Sequence, residues 1–271
     1  MSRTLHSFVI PAFGDSPFLE ECLASLASQQ LRSPVTVSTS TPSPGLLSRV
    51  ERHHARLHVH APNRGIGADW NAAIDQADSH WATIAHQDDV YDSQYTARML
   101  QAVENFPDTS IAFCAADEIR EGVRSVTTHM RVKRALTEFA FLGRQSICGT
   151  RAKRRLLCLG NPIVCPSVMI NLRKLGGLRF DETFRSNLDW AAWLELAVRE
   201  GRFRYVRETL VAQRTHAEAE TTSAIACGIR RAEDRHMFSS IWPGPVAAII
   251  SRTYELGYRN RIEANRQNRL T

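Results

Sequence analysis

The sequence of 271 residues has no apolar run that approaches the length of a membrane span. A spanning helix needs about 18 consecutive apolar residues, whereas the apolar stretch at 246–250 near the C-terminus is far shorter. The apolar run near the N-terminus is interrupted by Pro11 and followed by acids, a pattern unlike a signal peptide. We therefore expect a cytoplasmic protein, with the inner face of the membrane as the other location left open.

The cysteines form no pattern typical of a disulfide framework or a zinc site. No two of them are spaced as Cys-x-x-Cys, and none combines with histidine at zinc-like spacing. We expect reduced and mostly buried thiols. The six are Cys22, Cys114, Cys148, Cys158, Cys165 and Cys227.

Positive charge is unevenly distributed along the chain. Segment 131–155 holds eight basic residues and one acid, Glu138, so it carries +7 of a total net charge of +6. Such a segment favours an anionic partner, namely phosphates, lipid headgroups or nucleic acid. Nucleic acid is the least favoured of these, because no basic and aromatic binding motif accompanies the charge. We interpret 131–155 as a loop-rich segment with one short helix.

Short apolar runs alternate with helical patterns through the first half of the chain. Strands are predicted at 7–10, 35–39, 57–60, 81–85 and 111–115, with helices between them. This alternation is typical of an α/β fold with a mainly parallel central sheet and helices on both faces.

The second half is less regular. We predict a strand at 166–171, a helix at 189–199, and a hairpin of strands at 203–206 and 210–213. Helices follow from 225 onward, broken at Pro243.

Polar loops follow several of the predicted strands, at Pro11, Ser38 and Asp88. In a parallel sheet the carboxyl ends of the strands meet at one edge, where ligands bind. Asp88 and Asp89 are adjacent carboxylates that repel each other, and a divalent cation bound to diphosphate oxygens would supply the counter-charge. The alternative is a pair of acids that caps the following helix.

These segments together resemble the family 2 glycosyltransferases, over roughly residues 6–222. The first half contributes Ser7-Phe8-Val9-Ile10-Pro11-Ala12-Phe13, Ser28-Gln29, Asn63-x-Gly65, Asn71 and Asp88-Asp89. The second half contributes Pro166-Ser167-Val168-Met169, Phe180-Asp181, Leu188-Asp189-x-x-x-Trp193-Leu194 and Arg214-Thr215-His216. The resemblance implies a GT-A fold that transfers a sugar from a nucleotide donor, with Mn²⁺ or Mg²⁺ as cofactor.

The D-x-D metal motif of that family falls on His86-Gln87-Asp88, so a histidine replaces its first acid. The resemblance implies that Asp88 binds metal and diphosphate with support from Asp89, and that His216 is a further metal ligand. His86 is expected to touch the ribose or sugar of the donor, or alternatively to be a hydrogen-bonded histidine at a strand end.

The remaining nucleotide-sugar contacts are also carried over by position. Pro11, Ala12 and Phe13 would flank the base, and Ser38-Thr39-Ser40 stand where the family has an acidic pair. A UDP-sugar is the first expectation for the donor. The other expected donor contacts are Asp69, Asn71, Gln87 and Arg214, of which Asp69 and Asn71 are alternatively surface residues of a helix.

Asp189 matches the aspartate of the family's Glu-Asp base motif, with Leu188 in place of the glutamate. An inverting transferase needs one base to deprotonate the acceptor hydroxyl. A helix N-cap is the alternative role for Asp189. Pro166, Ser167 and Trp190 are expected on the acceptor side, which would meet a glycan or a lipid-linked acceptor.

We therefore expect an inverting, metal-dependent glycosyltransferase of cell-surface polysaccharide or glycolipid synthesis. A catalytically silent nucleotide-sugar-binding domain is the alternative. We expect a domain at 1–222, with a nucleotide half at 1–115 and an acceptor half at 116–222. A helical extension at 223–271 would pack on the core or on a second copy of the chain, or lie on a membrane through arginines at 252, 259, 261, 266 and 269.

Overall fold

The computed structural model describes residues 4–216 and 219–267, and the side chains of 4–216, 219–220 and 222–257. The strands are β1 Thr4–Ala12, β2 Val35–Thr39, β3 Arg56–Val59, β4 Ser79–Ile84, β5 Val90–Tyr91, β6 Thr109–Arg120, β7 Val123–Ser125, β8 Ser146–Ile147, β9 Val168–Asn171 and β10 Arg202–Thr215. The helices are α1 Leu19–Ala27, α2 Pro44–Arg52, α3 Ile66–Ile74, α4 Tyr95–Val103, α5 Thr128–Phe141, α6 Thr150–Leu157, α7 Leu188–Val198, α8 Glu220–Ala226, α9 Ile229–Ile241 and α10 Gly244–Gln267. A 3₁₀ turn spans Cys165–Ser167.

All the strands join one sheet in the order β3-β2-β1-β4-β9-β6-β10-β5, with β7 on β6 and β8 on β10. The run from β3 to β4 is parallel, as is the long β6–β10 pair, while β9 lies antiparallel between β4 and β6. The predicted α/β class is confirmed.

Buried residues form a core on each face of the sheet. In β1, Phe8 and Ile10 pack with α1, α2 and α4, whereas Val9 packs with α3, α6 and α7. Successive side chains of a strand point to opposite faces, so one apolar run serves both cores. Helices therefore cover both faces, as the alternating pattern predicted.

The predicted hairpin at 203–206 and 210–213 is wrong, because the two segments form the single strand β10. A register shift between Val206 and Thr209 accommodates the polar break that separates the two apolar runs. Arg207 donates to Glu138 at 2.8 Å, and Glu208 pairs with Arg98 at 3.1 Å. The two charges thus have partners along an extended chain and do not require a turn.

The basic segment is also more regular than predicted, since it contains most of α5 and all of α6. Thr127 caps the start of α5 by accepting a hydrogen bond from the Met130 N–H. Four of the eight basic side chains are used inside the fold, where they donate to main-chain or side-chain oxygens: Lys133, Arg134, Lys153 and Arg155. The other four are exposed: Arg131, Arg144, Arg151 and Arg154.

The C-terminal helices share the core with α7. The helical conformation is interrupted between Ile241, where α9 ends, and Gly244, where α10 begins, as Pro243 predicted. Phe238 of α9 is fully buried and packs on Trp190 with ring centroids 5.0 Å apart. The side chains of Arg259, Arg261, Arg266 and Arg269 lie outside the described residues.

Within the described helices, none combines the length and apolarity that a bilayer span would need.

Lys153 holds the end of α7. Its side chain is 1 % exposed, and Nζ donates to the carbonyl oxygens of Leu196 at 3.1 Å, Gly201 at 3.1 Å and Arg199. The last carbonyl groups of a helix have no partner within the helix, so a buried ammonium there satisfies several at once. Burial lowers the pKa of Lys153.

Replacing Lys153 with methionine should lower the free energy of unfolding by about 3 kcal/mol or more, because buried carbonyl groups lose their donor. Urea unfolding followed by circular dichroism measures this. Arg154→Met is the matched control, since Arg154 is an exposed neighbour on α6. Equal unfolding midpoints for the two variants would contradict this role of Lys153.

Candidate active site

The acidic loop follows β4 at the carboxyl edge of the sheet. The Ala85 N–H donates to the Val9 carbonyl, which extends the ladder, and the Asp89 N–H donates to His86, which turns the chain. His86, Asp88 and Asp89 each offer one ligand atom, and these atoms lie within 4.8 Å of one another. The structure thus brings three of the expected metal and donor contacts together.

Asp89 is the buried member of the loop, with 1 % of its side chain exposed. Its Oδ1 accepts a hydrogen bond of 2.8 Å from the backbone N–H of Arg214. Its Oδ2 has no hydrogen-bond partner in the part of the chain that the structure describes. Burial raises the pKa of Asp89 well above its usual range, and the neighbouring charge of Asp88 raises it further.

Asp88 is tied to the end of β10. Its Oδ2 lies 2.9 Å from Nε2 of His216, and its carbonyl oxygen accepts from Nε of Arg214 at 2.9 Å. The Arg214 guanidinium also pairs with Glu21 and lies over the Phe18 ring, 4.6 Å from its centroid. Glu21 and Phe18 were missed in the sequence, since nothing in the pattern of α1 separates them from ordinary helix residues.

His86 faces the same space from the other side. Its ring lies against Trp70 with centroids 5.1 Å apart, and Nδ1 is 3.7 Å from Oδ2 of Asp89. Burial lowers its pKa, against the opposing effect of Asp88, and so favours the neutral form of the ring. Its Nε2 is buried and makes no hydrogen bond to any described residue. A neutral ring nitrogen of this kind can bind a metal or accept from a donor hydroxyl.

The segments that we expected to contact the nucleotide also meet at this edge of the sheet. Pro11 lies opposite Ser38 and Ala12 opposite Thr39 in the parallel β1–β2 register. Phe13 follows with 58 % of its surface exposed.

Gln87 binds the main chain at this point. Its Oε1 accepts from the Phe13 N–H at 3.1 Å, and its Nε2 donates to the Phe13 carbonyl at 3.2 Å. Both ends of the amide are used, so Gln87 connects the acidic loop to the end of β1.

A second polar cluster lies beyond β2, around Asp69 on α3. Asp69 is 5 % exposed, and its Oδ1 lies 3.5 Å from Nε2 of His60. Burial raises the pKa of Asp69, which the nearby Ser40 and His60 oppose in part. The Nε2 atom of His60 is itself buried, so this ring nitrogen faces Asp69 and not solvent.

Several buried polar atoms along this edge have no hydrogen-bond partner among the described residues. Such atoms are uncommon in folded proteins and are expensive to leave unpaired. Within the described residues they include Ser38 Oγ, Ser40 Oγ, His60 Nε2, Asp69 Oδ1, His86 Nε2 and Asp89 Oδ2. The edge therefore has the unmet hydrogen-bonding capacity of a binding site for a polar ligand.

Asn71 has a defined structural contact. Its Oδ1 accepts from the Phe180 N–H at 2.8 Å, and its Nδ2 donates to the Phe180 carbonyl at 2.9 Å and to Glu182 at 3.2 Å. These bonds fasten the segment before α7 to α3. A donor contact by Asn71 would have to replace one of them.

Asp189 lies in the first turn of α7, while Asn187 occupies the N-cap position. Asp189 Oδ2 accepts from Asn161 Nδ2 at 2.8 Å, and Oδ1 accepts from the Trp190 N–H at 2.7 Å. Burial raises the pKa of Asp189, although Lys133 and Arg230 oppose the shift with their positive charges. Lys133 and Asn161 were missed because they lie far from Asp189 along the chain.

The buried thiol of Cys165 connects the two acidic centres. Burial raises the pKa of this thiol well above its usual range, and the charges of Asp189 and Asp89 both raise it further. The charges of both acidic centres therefore act on the Cys165 thiol.

The residues expected on the acceptor side are core residues. Ser167 and Trp190 are fully buried, and Pro166 is buried beside Ser167 in the 3₁₀ turn. The Pro166 carbonyl accepts from the Tyr91 hydroxyl at 2.7 Å, and Trp190 Nε1 donates to the Leu157 carbonyl at 3.2 Å. This burial corrects the expectation, because none of the three side chains lies on a surface that meets an acceptor.

Comparison with solved structures supports the GT-A fold. S. aureus TarS 1-349 in complex with UDP-GlcNAc superposes with a TM-score of 0.66 at 14% identity, covering 92% of this chain and 70% of that chain. The mannosyltransferase PcManGT from Pyrobaculum calidifontis in complex with GDP-Man and Mn²⁺ gives 0.57 at 16% identity, covering 94% and 70%.

No curated protein matches this chain. The family model for glycosyl transferase family 2 matches residues 7–176, which is more than half of the chain. The expected resemblance is thereby confirmed, and the chain belongs to glycosyl transferase family 2.

Proposed function

We propose that this glycosyltransferase moves a sugar, with inversion, from a nucleoside diphosphate donor to a glycan or lipid-linked acceptor in cell-surface polysaccharide or glycolipid synthesis. The observation that carries the proposal is the line of unpaired buried polar atoms along the carboxyl edge of the sheet. They extend from Ser38, His60 and Asp69 at the β2 end to His86 and Asp89 in the acidic loop. A nucleotide-sugar is a long polar molecule that could occupy both ends at once.

The nucleoside is placed at the β1–β2 end. Pro11 and Phe13 offer apolar surface to a base, while Ser38, Ser40 and the His60–Asp69 pair offer hydrogen-bonding groups. UDP-sugars remain our first candidate, and the GDP-Man bound by PcManGT makes GDP-sugars the second.

The acidic loop fits a divalent cation. Asp88 and Asp89 supply the carboxylate oxygens that Mn²⁺ and Mg²⁺ bind, with His86 beside them. Burial and the charge of Asp88 raise the pKa of Asp89 although Arg214 opposes the shift, and a bound cation would supply further positive charge. His216 now bonds Asp88 and would join the cation only by giving up that contact. When bound, the cation would neutralise negative charge that develops on the departing diphosphate.

Asp189 is the proposed base. It would accept the proton of the acceptor hydroxyl as that oxygen attacks the anomeric carbon and the bond to the diphosphate breaks. Its raised pKa makes it a stronger base than an exposed aspartate, and Asn161 orients one of its oxygens. One displacement by one base inverts the anomeric configuration.

The acceptor side is proposed to lie along α5 and α6. Lys133 of α5 donates to the Asn161 carbonyl at 2.9 Å, and Asn161 in turn donates to Asp189, so α5 lies near the proposed base. Arg131, Arg151 and Arg154 are exposed on the two helices, so an acceptor that carries phosphate would find positive charge there.

Thermal unfolding of the wild type should be shifted upward by UDP or GDP, and further with Mn²⁺. At a concentration of about 100 Kd, binding adds roughly 2.7 kcal/mol, or several degrees in a chain of this size. EDTA and Asp88→Asn should each remove the Mn²⁺-dependent part. Asp75→Asn is the matched control, because Asp75 is an exposed acid paired with Arg179. If no nucleoside diphosphate stabilises the wild type, the proposed function fails.

Asp189→Asn should lower the turnover of Mn²⁺-dependent donor hydrolysis by about 10²–10⁴-fold, because the base is lost. The nucleotide-induced thermal shift should remain. If the wild type and Asp189→Asn are equally inert while donor binds both, the chain is a silent nucleotide-sugar-binding domain.

The pH dependence of turnover tests the same base. Asp189 must be deprotonated to act, so turnover should fall as pH drops through its pKa. Because burial raises that pKa, the fall should come at a higher pH than it would for an exposed aspartate. Lys133→Met should move the fall to still higher pH, because the positive charge that opposes the shift is removed. Arg131→Met, on the exposed side of α5, should leave the profile unchanged.

A further inference from the structure

The helices α9 and α10 pack one face of the pair against the protein core. Phe238 and Tyr254 pack on Trp190 with ring centroids 5.0 and 6.3 Å away, and Ala247 is buried beside them. The face turned away from α7 is different in character. It carries exposed apolar side chains and arginines that neither the core nor the proposed donor site uses.

The apolar part is a ridge along α10, formed by Val246, Ile249 and Leu256. Ile249 is 69 % exposed and Leu256 55 % exposed, and they lie two turns apart on the same side of the helix. Arg252 lies between them, about one turn from each, and is also exposed. Large apolar side chains arranged in a row on a surface typically mark an interaction site.

The basic part is a groove of about 280 Å³ between the two helices. It is lined by Arg231, Arg235, Ala248, Ser251, Arg252 and Glu255. Among these six residues Glu255 is the one acid, and it pairs with Arg231 at 3.0 Å. The Ser251 hydroxyl is buried and has no hydrogen-bond partner among the described residues. Arginines with a free hydroxyl favour a phosphate group.

The combination decides which partner fits. A two-fold contact with a second copy that is centred on the groove would place the arginines of one groove against those of the other, which is repulsive. Nucleic acid would match the arginines and leave the apolar ridge in water. A membrane with anionic lipids matches both, because headgroup phosphates meet the arginines while Ile249 and Leu256 enter the acyl boundary.

We propose that the α9–α10 surface, formed by Arg231, Arg235, Arg252, Val246, Ile249 and Leu256, docks this protein onto an anionic lipid surface. The groove takes lipid phosphates, and the ridge inserts beside them. Since α9 and α10 pack directly on α7, docking holds the helix of Asp189 close to the membrane. The use of a lipid-linked acceptor rests on the proposed function, whereas docking itself does not.

Flotation of the full chain with vesicles tests the proposal. Vesicles of phosphatidylcholine alone should not carry the protein, whereas vesicles with 30 mol% phosphatidylglycerol should, less so as salt rises. The triple variant Arg231→Gln/Arg235→Gln/Arg252→Gln should bind at least roughly 30-fold more weakly, as expected from losing three basic residues near the surface. Ile249→Ser/Leu256→Ser should weaken binding about tenfold or more through lost apolar burial.

The matched control is Arg32→Gln/Arg56→Gln/Arg173→Gln, which removes the same charge from exposed positions outside both the α9–α10 surface and the proposed acceptor side. It should bind within about threefold of the wild type. Absence of binding to the anionic vesicles, or an equal loss in this control, would overturn the proposal. So would a dimer in light scattering that Ile249→Ser/Leu256→Ser dissociates, since the ridge would then be a contact between copies.

The nucleotide-induced thermal shift, measured on the same variants, separates this proposal from the proposed function. Both surface variants should keep the full shift, which also shows that they are folded. Vesicle binding without any nucleotide shift would leave docking standing while the proposed donor site fails.

Discussion

Two adjacent carboxylates at the end of a buried strand are the constraint on which the arrangement of this edge depends. Asp89 is almost fully buried, and both that burial and the charge of Asp88 disfavour its ionised form. Among the described residues only one of its two carboxylate oxygens has a hydrogen-bond partner, because Oδ1 accepts from the Arg214 N–H. Arg214 and His216 reach the loop because β10 continues unbroken to Thr215. The strand β10 thus positions Arg214 and His216 next to the acidic loop.

The helix α7 connects stability to the proposed chemistry. Its first turn carries Asp189, and its last carbonyl groups rest on the buried ammonium of Lys153. Trp190 lies between α6 and α9, so the helix is held along its length as well as at its ends. A base with a raised pKa needs such a rigid setting, because motion would admit water and remove the effect of burial.

The sequence was informative where a local pattern decides the structure. Short apolar runs predicted β1, β2 and β4, and the parallel register then brought Pro11 and Ser38 together as expected. The sequence was uninformative where contacts between residues far apart in the chain determine the local structure. The charges of Arg207 and Glu208 suggested a turn, yet Glu138 and Arg98 stabilise an extended strand there. The pairing of Asp189 with Asn161 spans the basic segment, so no local spacing could indicate it.

The same limit applies to burial. Ser167 and Trp190 matched motif positions, but only the tertiary packing around the 3₁₀ turn and α7 reveals that they are enclosed. His60 is a further example, because its Nε2 atom is buried beside Asp69 of α3, which the local sequence around His60 does not indicate.

Gln87 has a thermodynamic consequence. It stands in the acidic loop and yet uses its whole amide on the main chain of Phe13, beside the nucleoside end. Any ligand that orders one of these segments therefore lowers the entropy cost of ordering the other. Such coupling is reciprocal, so a cation at the loop and a base at Phe13 would each raise the affinity for the other by the same factor. Gln87 thus links the acidic loop to the end of β1, the two places where the proposed cation and base would bind.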